Sequence, residues 1–314
     1  MVNMQKCAMI GCGFVGASSA FSLVESGLFT DLVLIDANHD KAEGEAMDLS
    51  HGLAFTQPME IIAGDYADLK DCGIIIISAG AGQKPGETRM DLVHKNVAIF
   101  KQIIPQIVKY NQEAILLVVA NPVDILTWVT WKLSGFPAER VIGSGTVLDT
   151  ARLKYLLGRH LDVDPRSVHA FIVGEHGDSE LAVWSSANVS GVPLTEFCEL
   201  RGYEEHGRNR QLLYEEVKNS AYRIIEKKGA TYYGIALSVR RICECIVRDE
   251  HSILSVSSLI QGHFGLTDLC MGVPTILGSK GVERVLDIGL NQEEQAELER
   301  SATALKQVLQ EIQL

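Results

Sequence analysis

The segment Gly11-Cys12-Gly13-Phe14-Val15-Gly16 constrains this chain more than any other, because it joins a run that reads as a buried strand, Met4 to Ile10, to one that reads as a helix, Val15 to Gly27. Glycines at a strand-to-helix turn permit a tight bend and let a phosphate approach where a Cβ would obstruct it. A second strand, Leu32 to Ile35, ends at Asp36, about twenty residues beyond Gly16. Strand, glycine loop, helix, strand and acid in that order describe a dinucleotide site, with Gly11, Gly13 and Gly16 on the pyrophosphate and Asp36 on the ribose hydroxyls. An anionic Asp36 would repel the extra phosphate of NADP, so the expected cofactor is NAD.

Downstream, Asn38 to His51 reads as a helix, Met59 to Ala63 and Ile74 to Ser78 as strands, Asp91 to Tyr110 as a helix, and Ala114 to Val119 as a strand. Ala79 to Arg89, rich in glycine and holding Pro85, is expected to be a mobile lid. Val141 to Gly143 is expected to be the last strand of the sheet. Alternating strands and helices imply a parallel sheet, whose ligands gather beyond the carboxyl ends of the strands, where the glycine loop, the lid and Asn121 all fall. Thr146 to His160 then reads as a helix, followed by short strands around Val168 to Val173 and Ala182 to Val189. Helices over Glu204 to Lys228 and Tyr232 to Val247, strands over Ser252 to Leu259 and Asp268 to Leu277, and a helix from Gln292 close the chain. The expected fold class is α/β, with a parallel-sheet domain over 1–145 and a mixed α+β domain over 146–314.

Composition narrows the function. The 46% apolar content suits a globular chain, yet the apolar runs, such as Ile115 to Ala120, have the length of buried strands and not of bilayer spans. The first ten residues carry only Lys6 and lack the pattern of a secretory signal, so a cytoplasmic location is expected. Seven scattered cysteines without metal-ligand spacing point to reduced, buried thiols and no metal. A formal charge of -12 argues against nucleic acid as a partner and requires any anion site to be local.

Two further stretches carry chemistry. Val173 to Glu180 sets His176 between glycines and acids, directly after an apolar run, as expected of a histidine that trades protons. Leu148 to Arg152 places Asp149 and Arg152 three apart on one helical face.

Together with Ala79 to Arg89, Asn121 to Asp124 and Lys228-Gly229-Ala230-Thr231-Tyr232-Tyr233-Gly234, these stretches occur in family order, and the chain resembles the bacterial L-lactate dehydrogenases of the NAD-dependent lactate and malate dehydrogenase family. The resemblance covers nearly the full length and implies a Rossmann domain followed by a substrate domain. It implies that His176 donates a proton during reduction of a 2-oxo acid and accepts it during oxidation, that Asp149 orients the imidazole, and that Arg152 forks onto the substrate carboxylate. Arg89 would polarise the carbonyl when the lid closes, with Gln83, Asn121, Asp124 and Thr231 completing the substrate pocket. Val15, Lys41, Tyr66, Gly80, Ala81, Asn121 and Ser144 match positions near the cofactor.

Malate enzymes of this family commonly carry an arginine where this chain has Gln83, and the second carboxylate of oxaloacetate needs such a cation. The expected substrate is therefore pyruvate, with malate or a bulkier 2-hydroxy acid as the rival. A non-catalytic NAD-binding sensor would be expected to lack His176, Asp149 or one of the arginines. The resemblance further implies a homotetramer and a fructose 1,6-bisphosphate site at Lys154 and His169, although the family more often has arginine at the first of these.

Overall fold

The computed structural model describes residues 2–82, 86–203 and 206–314; Gln83 and the expected start of a helix at Glu204 lie outside the described residues. The first half alternates strand and helix: β1 (Asn3–Ile10), α1 (Phe14–Ser26), β2 (Asp31–Ile35), α2 (His39–His51), β3 (Glu60–Ala63), β4 (Cys72–Ile77), α3 (Arg89–Tyr110), β5 (Ile115–Val118), α4 (Val123–Ser134) and β6 (Val141–Gly143). These strands pair in parallel in the order β3-β2-β1-β4-β5-β6, which is Rossmann topology and agrees with the expected fold class. Alternate side chains along each strand feed two cores. Ile75, Ile77, Leu116 and Val118 pack with Phe100 and Ile104 of α3 and Leu126 of α4. Ile74, Ile76 and Leu117 pack on the other face with Leu23 of α1.

The second half holds α5 (Val147–Leu161), β7 (Val168–His169), β8 (Ile172–Val173), β9 (Leu181–Ala182), β10 (Asn188–Val189), β11 (Val192–Pro193), α6 (Leu194–Leu200), α7 (His206–Lys228), α8 (Tyr233–Val247), β12 (Ser252–Gln261), β13 (Thr267–Gly278), β14 (Gly281–Val285) and α9 (Gln292–Gln310). Here the expectation that Val141 to Gly143 ends the sheet is corrected. The β12–β13–β14 meander docks antiparallel on β6 through Ser257 opposite Gly143, extending one sheet to nine strands among the described residues. The reason is local sterics: a Cβ at Gly143 would meet the Ser257 Cβ at 2.8 Å, and Gly145 turns at φ 51 against the Ser257 backbone. Two glycines thus let a buried hairpin close what would otherwise be an exposed edge.

Periodicity reading also passed over α4, α6 and β14 and began α3 two residues late. A capping box starts α3: Thr88 Oγ1 accepts from the Asp91 backbone N–H at 3.1 Å and Asp91 Oδ2 from that of Thr88 at 2.9 Å. Arg89 is therefore the first residue of a helix and not part of a free loop. The short strands between 168 and 189 split into two sheets, β8 with β9 and β7 with β10 and β11. A third core of Leu153, Leu157, Val168, Val189 and Val217 seats α5 against α7. All seven cysteines are free and buried, and no described helix is long and apolar enough to cross a membrane.

Candidate active site

Two clefts open along the carboxyl ends of the parallel strands. The first, of about 550 Å³, is lined by Gly11, Gly13, Asp36, Lys41, Tyr66, Gly80 and Ala81. Gly11 sits at φ 98, and a Cβ added there would press on the backbone of Ala79. One added at Gly16 would overlap the Gly11 carbonyl and stand 2.7 Å from Ser78 Oγ, so Gly16 serves the close packing of α1 behind the loop. Ser78 Oγ donates to that same carbonyl at 2.8 Å. With Gly13 as N-cap, the first N–H groups of α1 have no side-chain partner and face the loop, an arrangement suited to an anion. Asp36 accepts from the backbone N–H groups of Cys12 at 2.7 Å and Asn38 at 2.9 Å, which fixes its carboxylate at the end of β2. A glycine-rich loop, an uncapped helix start and a fixed acid beyond them fit the pyrophosphate and ribose of a dinucleotide. Val15 and Ser144 stand outside this cleft: Val15 packs into the core, and Ser144 is buried with its N–H on the Val118 carbonyl at 2.8 Å.

The second cleft, of about 500 Å³, is lined by Arg89, Asn121, Asp149, Arg152, His176 and Glu180, with Val217 and Ile225 of α7 forming an apolar wall. α5 carries Asp149 in its first turn and Arg152 in its second, and one carboxylate serves two partners. Asp149 Oδ2 lies 2.6 Å from His176 Nδ1, and Oδ1 accepts from Arg152 NH1 at 2.7 Å. Burial would lift the Asp149 carboxyl, but the charges and hydrogen bonds of His176 and Arg152 hold it below the usual range. Burial would likewise push the imidazole down. The Asp149 charge and hydrogen bond, with Asp124 and Glu180 farther off, overcome this and raise it to about 9. At neutral pH the ring is an imidazolium with Nε2 as its remaining donor.

The supporting contacts come from distant parts of the chain. Asp124 does not line the cleft. It is 2% exposed and accepts from the His176 backbone N–H at 2.7 Å and from Ser257 Oγ at 2.6 Å, so it fixes the loop that carries the histidine. Burial raises its carboxyl to about 6 against the pull of those hydrogen bonds. Arg89 is ion-paired with the buried Glu175, which also receives Ser179 Oγ and whose N–H donates to Ser301 Oγ at 2.9 Å. Buried Asn96 on α3 donates to the carbonyls of Ala81 at 3.1 Å and Asn121 at 2.7 Å and accepts from the Ala81 N–H at 2.7 Å. It thereby ties the root of the expected lid to the loop bearing Asn121. Thr231 is half-buried in the turn between α7 and α8, outside the residues lining the cleft. Lys154 on α5 and His169 on β7 line neither cleft, and burial lowers the ammonium of Lys154. Glu175, Asn96, Ser257 and Ser301 had no assigned role in the sequence; an Asn about two turns into an amphipathic helix is a weak signal, and the two serines offer none.

Comparison with known proteins agrees with this arrangement. The family model described as lactate/malate dehydrogenase, NAD binding domain, matches residues 5–143, and that of the family's alpha/beta C-terminal domain matches residues 146–313. The chain is 55% identical to L-lactate dehydrogenase 1 of Clostridium acetobutylicum, over 99% of this chain and 100% of that protein. It is also 55% identical to the L-lactate dehydrogenase of Acetivibrio thermocellus, over 99% and 98%. A crystal structure of the minor L-lactate dehydrogenase of Enterococcus mundtii superimposes with a TM-score of 0.96 at 42% identity, covering 99% of this chain and 100% of that one. With both domain models matched in sequence and the fold shared throughout, the chain belongs to the lactate/malate dehydrogenase family.

Proposed function

We propose that the chain is an NAD-dependent L-lactate dehydrogenase that reduces pyruvate to (S)-lactate and catalyses the reverse oxidation. The observation that carries this reading is the sharing of the Asp149 carboxylate between His176 and Arg152 in a cleft that also presents Arg89 and Asn121. The glycine loop and Asp36 would hold NADH, which would supply the hydride for the carbonyl carbon. Negative charge then develops on the carbonyl oxygen, and His176 donates its Nε2 proton there; in lactate oxidation the neutral ring takes the hydroxyl proton. Asp149 fixes the tautomer and orientation of the ring and favours its charged form. Arg152 gives one N–H to Asp149 and keeps others for the substrate carboxylate, which orients the carbonyl. Arg89 adds positive charge on the carbonyl side when it exchanges Glu175 for substrate.

Pyruvate is favoured over oxaloacetate by the resemblance, because malate enzymes of the family commonly carry an arginine where this sequence has the neutral Gln83; without that cation a second enclosed carboxylate would lack a counterion, at a cost of several kcal/mol. Assembly with a second copy, as a dimer or within the homotetramer that the resemblance implies, is supported by an apolar groove beside α1 and α2, where Phe21 is 61% and Phe55 90% exposed near Val24 and Leu49. Seven free thiols suit the reducing cytoplasm. The sharing of α5 by Lys154 and Arg152 supports a regulatory route from a fructose 1,6-bisphosphate site to the substrate carboxylate. The decisive assay follows NADH absorbance with pyruvate, oxaloacetate and longer 2-oxo acids in parallel. Efficient turnover of pyruvate alone is the expected result, and equal efficiency with oxaloacetate would overturn the assignment.

A further inference from the structure

Glu180, four residues beyond the histidine, is 5% exposed, and its Oε1 has no hydrogen-bond partner among the described residues. A buried carboxylate without a partner is costly, whereas a buried neutral carboxyl is tolerated. Its backbone carbonyl accepts from the Tyr214 hydroxyl of α7, which holds the residue in place. One Glu180 oxygen, one Asp149 oxygen and a ring nitrogen of His176 lie within 4.8 Å of one another. The residue therefore lines the substrate cleft beside the dyad, with Arg152 of α5 and Lys218 of α7 as the nearby cations.

We propose that Glu180 is a proton-linked positioning residue: its buried carboxyl must carry a proton for an anionic substrate to be held at Arg152, and it acts through the field it sets in the cleft. The inference rests on the reading of the cleft as a 2-oxo acid site. Burial, then the Asp149 charge, raise the Glu180 carboxyl to about 8, while His176, Arg152 and Lys218 pull the other way. Glu180 is thus neutral at pH 7 and ionised above pH 8. Once ionised it repels an incoming carboxylate and competes for the guanidinium of Arg152. A bound anion in turn raises its proton affinity, so binding takes up a proton from solution. The ionised form also stabilises the imidazolium, because Glu180 is one of the charges that raise His176. The residue accordingly weakens substrate binding at alkaline pH while favouring the protonated donor.

The test uses the intact enzyme with NADH bound and oxamate, an unreactive analogue of pyruvate, as the probe. Oxamate affinity is read from NADH fluorescence, and proton uptake is read with an indicator dye in weak buffer. At pH 8.5 the parent is expected to take up about one proton per site, and Glu180→Gln less, only the part that His176 takes up. From pH 7 to pH 9.5 the parent should lose more affinity than the variant, by up to about thirtyfold. Equal uptake and parallel affinity profiles overturn the proposal alone. Parent uptake at pH 8.5 of no more than about a quarter of a proton overturns it even if the variant does not fold. Failure of the NADH-bound parent to bind oxamate at pH 7 overturns the substrate reading and this inference with it.

Discussion

The ring nitrogen Nδ1 of His176 lies 2.6 Å from Oδ2 of Asp149, a carboxylate whose side chain is only 3% exposed. The pair is separated by 27 residues in the chain and joins the first turn of α5 to the loop after β8. The contact stabilises the imidazolium against its own burial, which makes it a statement about both catalysis and pH dependence.

The first prediction follows from that pair. His176 is raised from 6.5 to about 9, so the stability it contributes is fully present below about pH 6.5 and is lost as pH rises through about 9. Asp149 is lowered, so its contribution is present above the ordinary carboxylate value and is lost as pH falls through its depressed value. Pyruvate reduction should decline and lactate oxidation rise as pH passes through about 9. Asp149→Asn removes the charge that opposes burial, moves the alkaline limb of reduction to lower pH, and cuts kcat at pH 7.5 by about a hundredfold or more. Rate profiles for both directions check this, and an unmoved limb in the variant contradicts it.

Arg152→Lys should raise the KM for pyruvate about tenfold to a hundredfold, the worth of one lost charge-assisted hydrogen bond, with a smaller fall in kcat. A lysine replaces a planar fork with a point charge and also vacates the contact at 2.7 Å to Asp149. Steady-state kinetics against pyruvate, with NADH binding as a control for folding, would show the split. A change confined to kcat would place Arg152 in a different role.

Gln83→Arg should move the preference between oxaloacetate and pyruvate by about a hundredfold or more in kcat/KM, since it supplies the counterion that the second carboxylate lacks. Parallel progress curves with the two substrates decide the matter. An unchanged ratio would mean that selectivity resides elsewhere in the cleft.

Fructose 1,6-bisphosphate should lower the pyruvate concentration at half-saturation, more so at weakly alkaline pH. Positive charge from Lys154 and His169, gathered across a twofold axis, would favour the assembled form once a bisphosphate neutralises it. Saturation curves with and without millimolar effector, for the parent and for Lys154→Gln combined with His169→Gln, test this. Superimposable parent curves at every pH rule it out.

What the sequence by itself determined was local chemistry. Gly11, Gly13 and Gly16 declare a tight turn, Gly11 and Gly16 because a Cβ there would meet backbone atoms, and Asp36 follows at the end of the next strand. Asp149 and Arg152 share a face because helical geometry places residues three apart together, and the parallel core strands are apolar because both their faces are covered. Tertiary structure alone decided the rest. Ser257 reaches Asp124 across 133 residues, and Ser301 reaches Glu175 across 126; neither serine carries a periodic or local signal. The meander added to β6 depends on long-range pairing through Ser257 and Gly143, which a reading of alternation along one strand cannot anticipate. Burial of Glu180 and Asp124 is likewise decided by what folds over them. Proton affinity follows desolvation and neighbouring charge, so the charge states in this cleft arise from the assembled fold and not from the order of its residues.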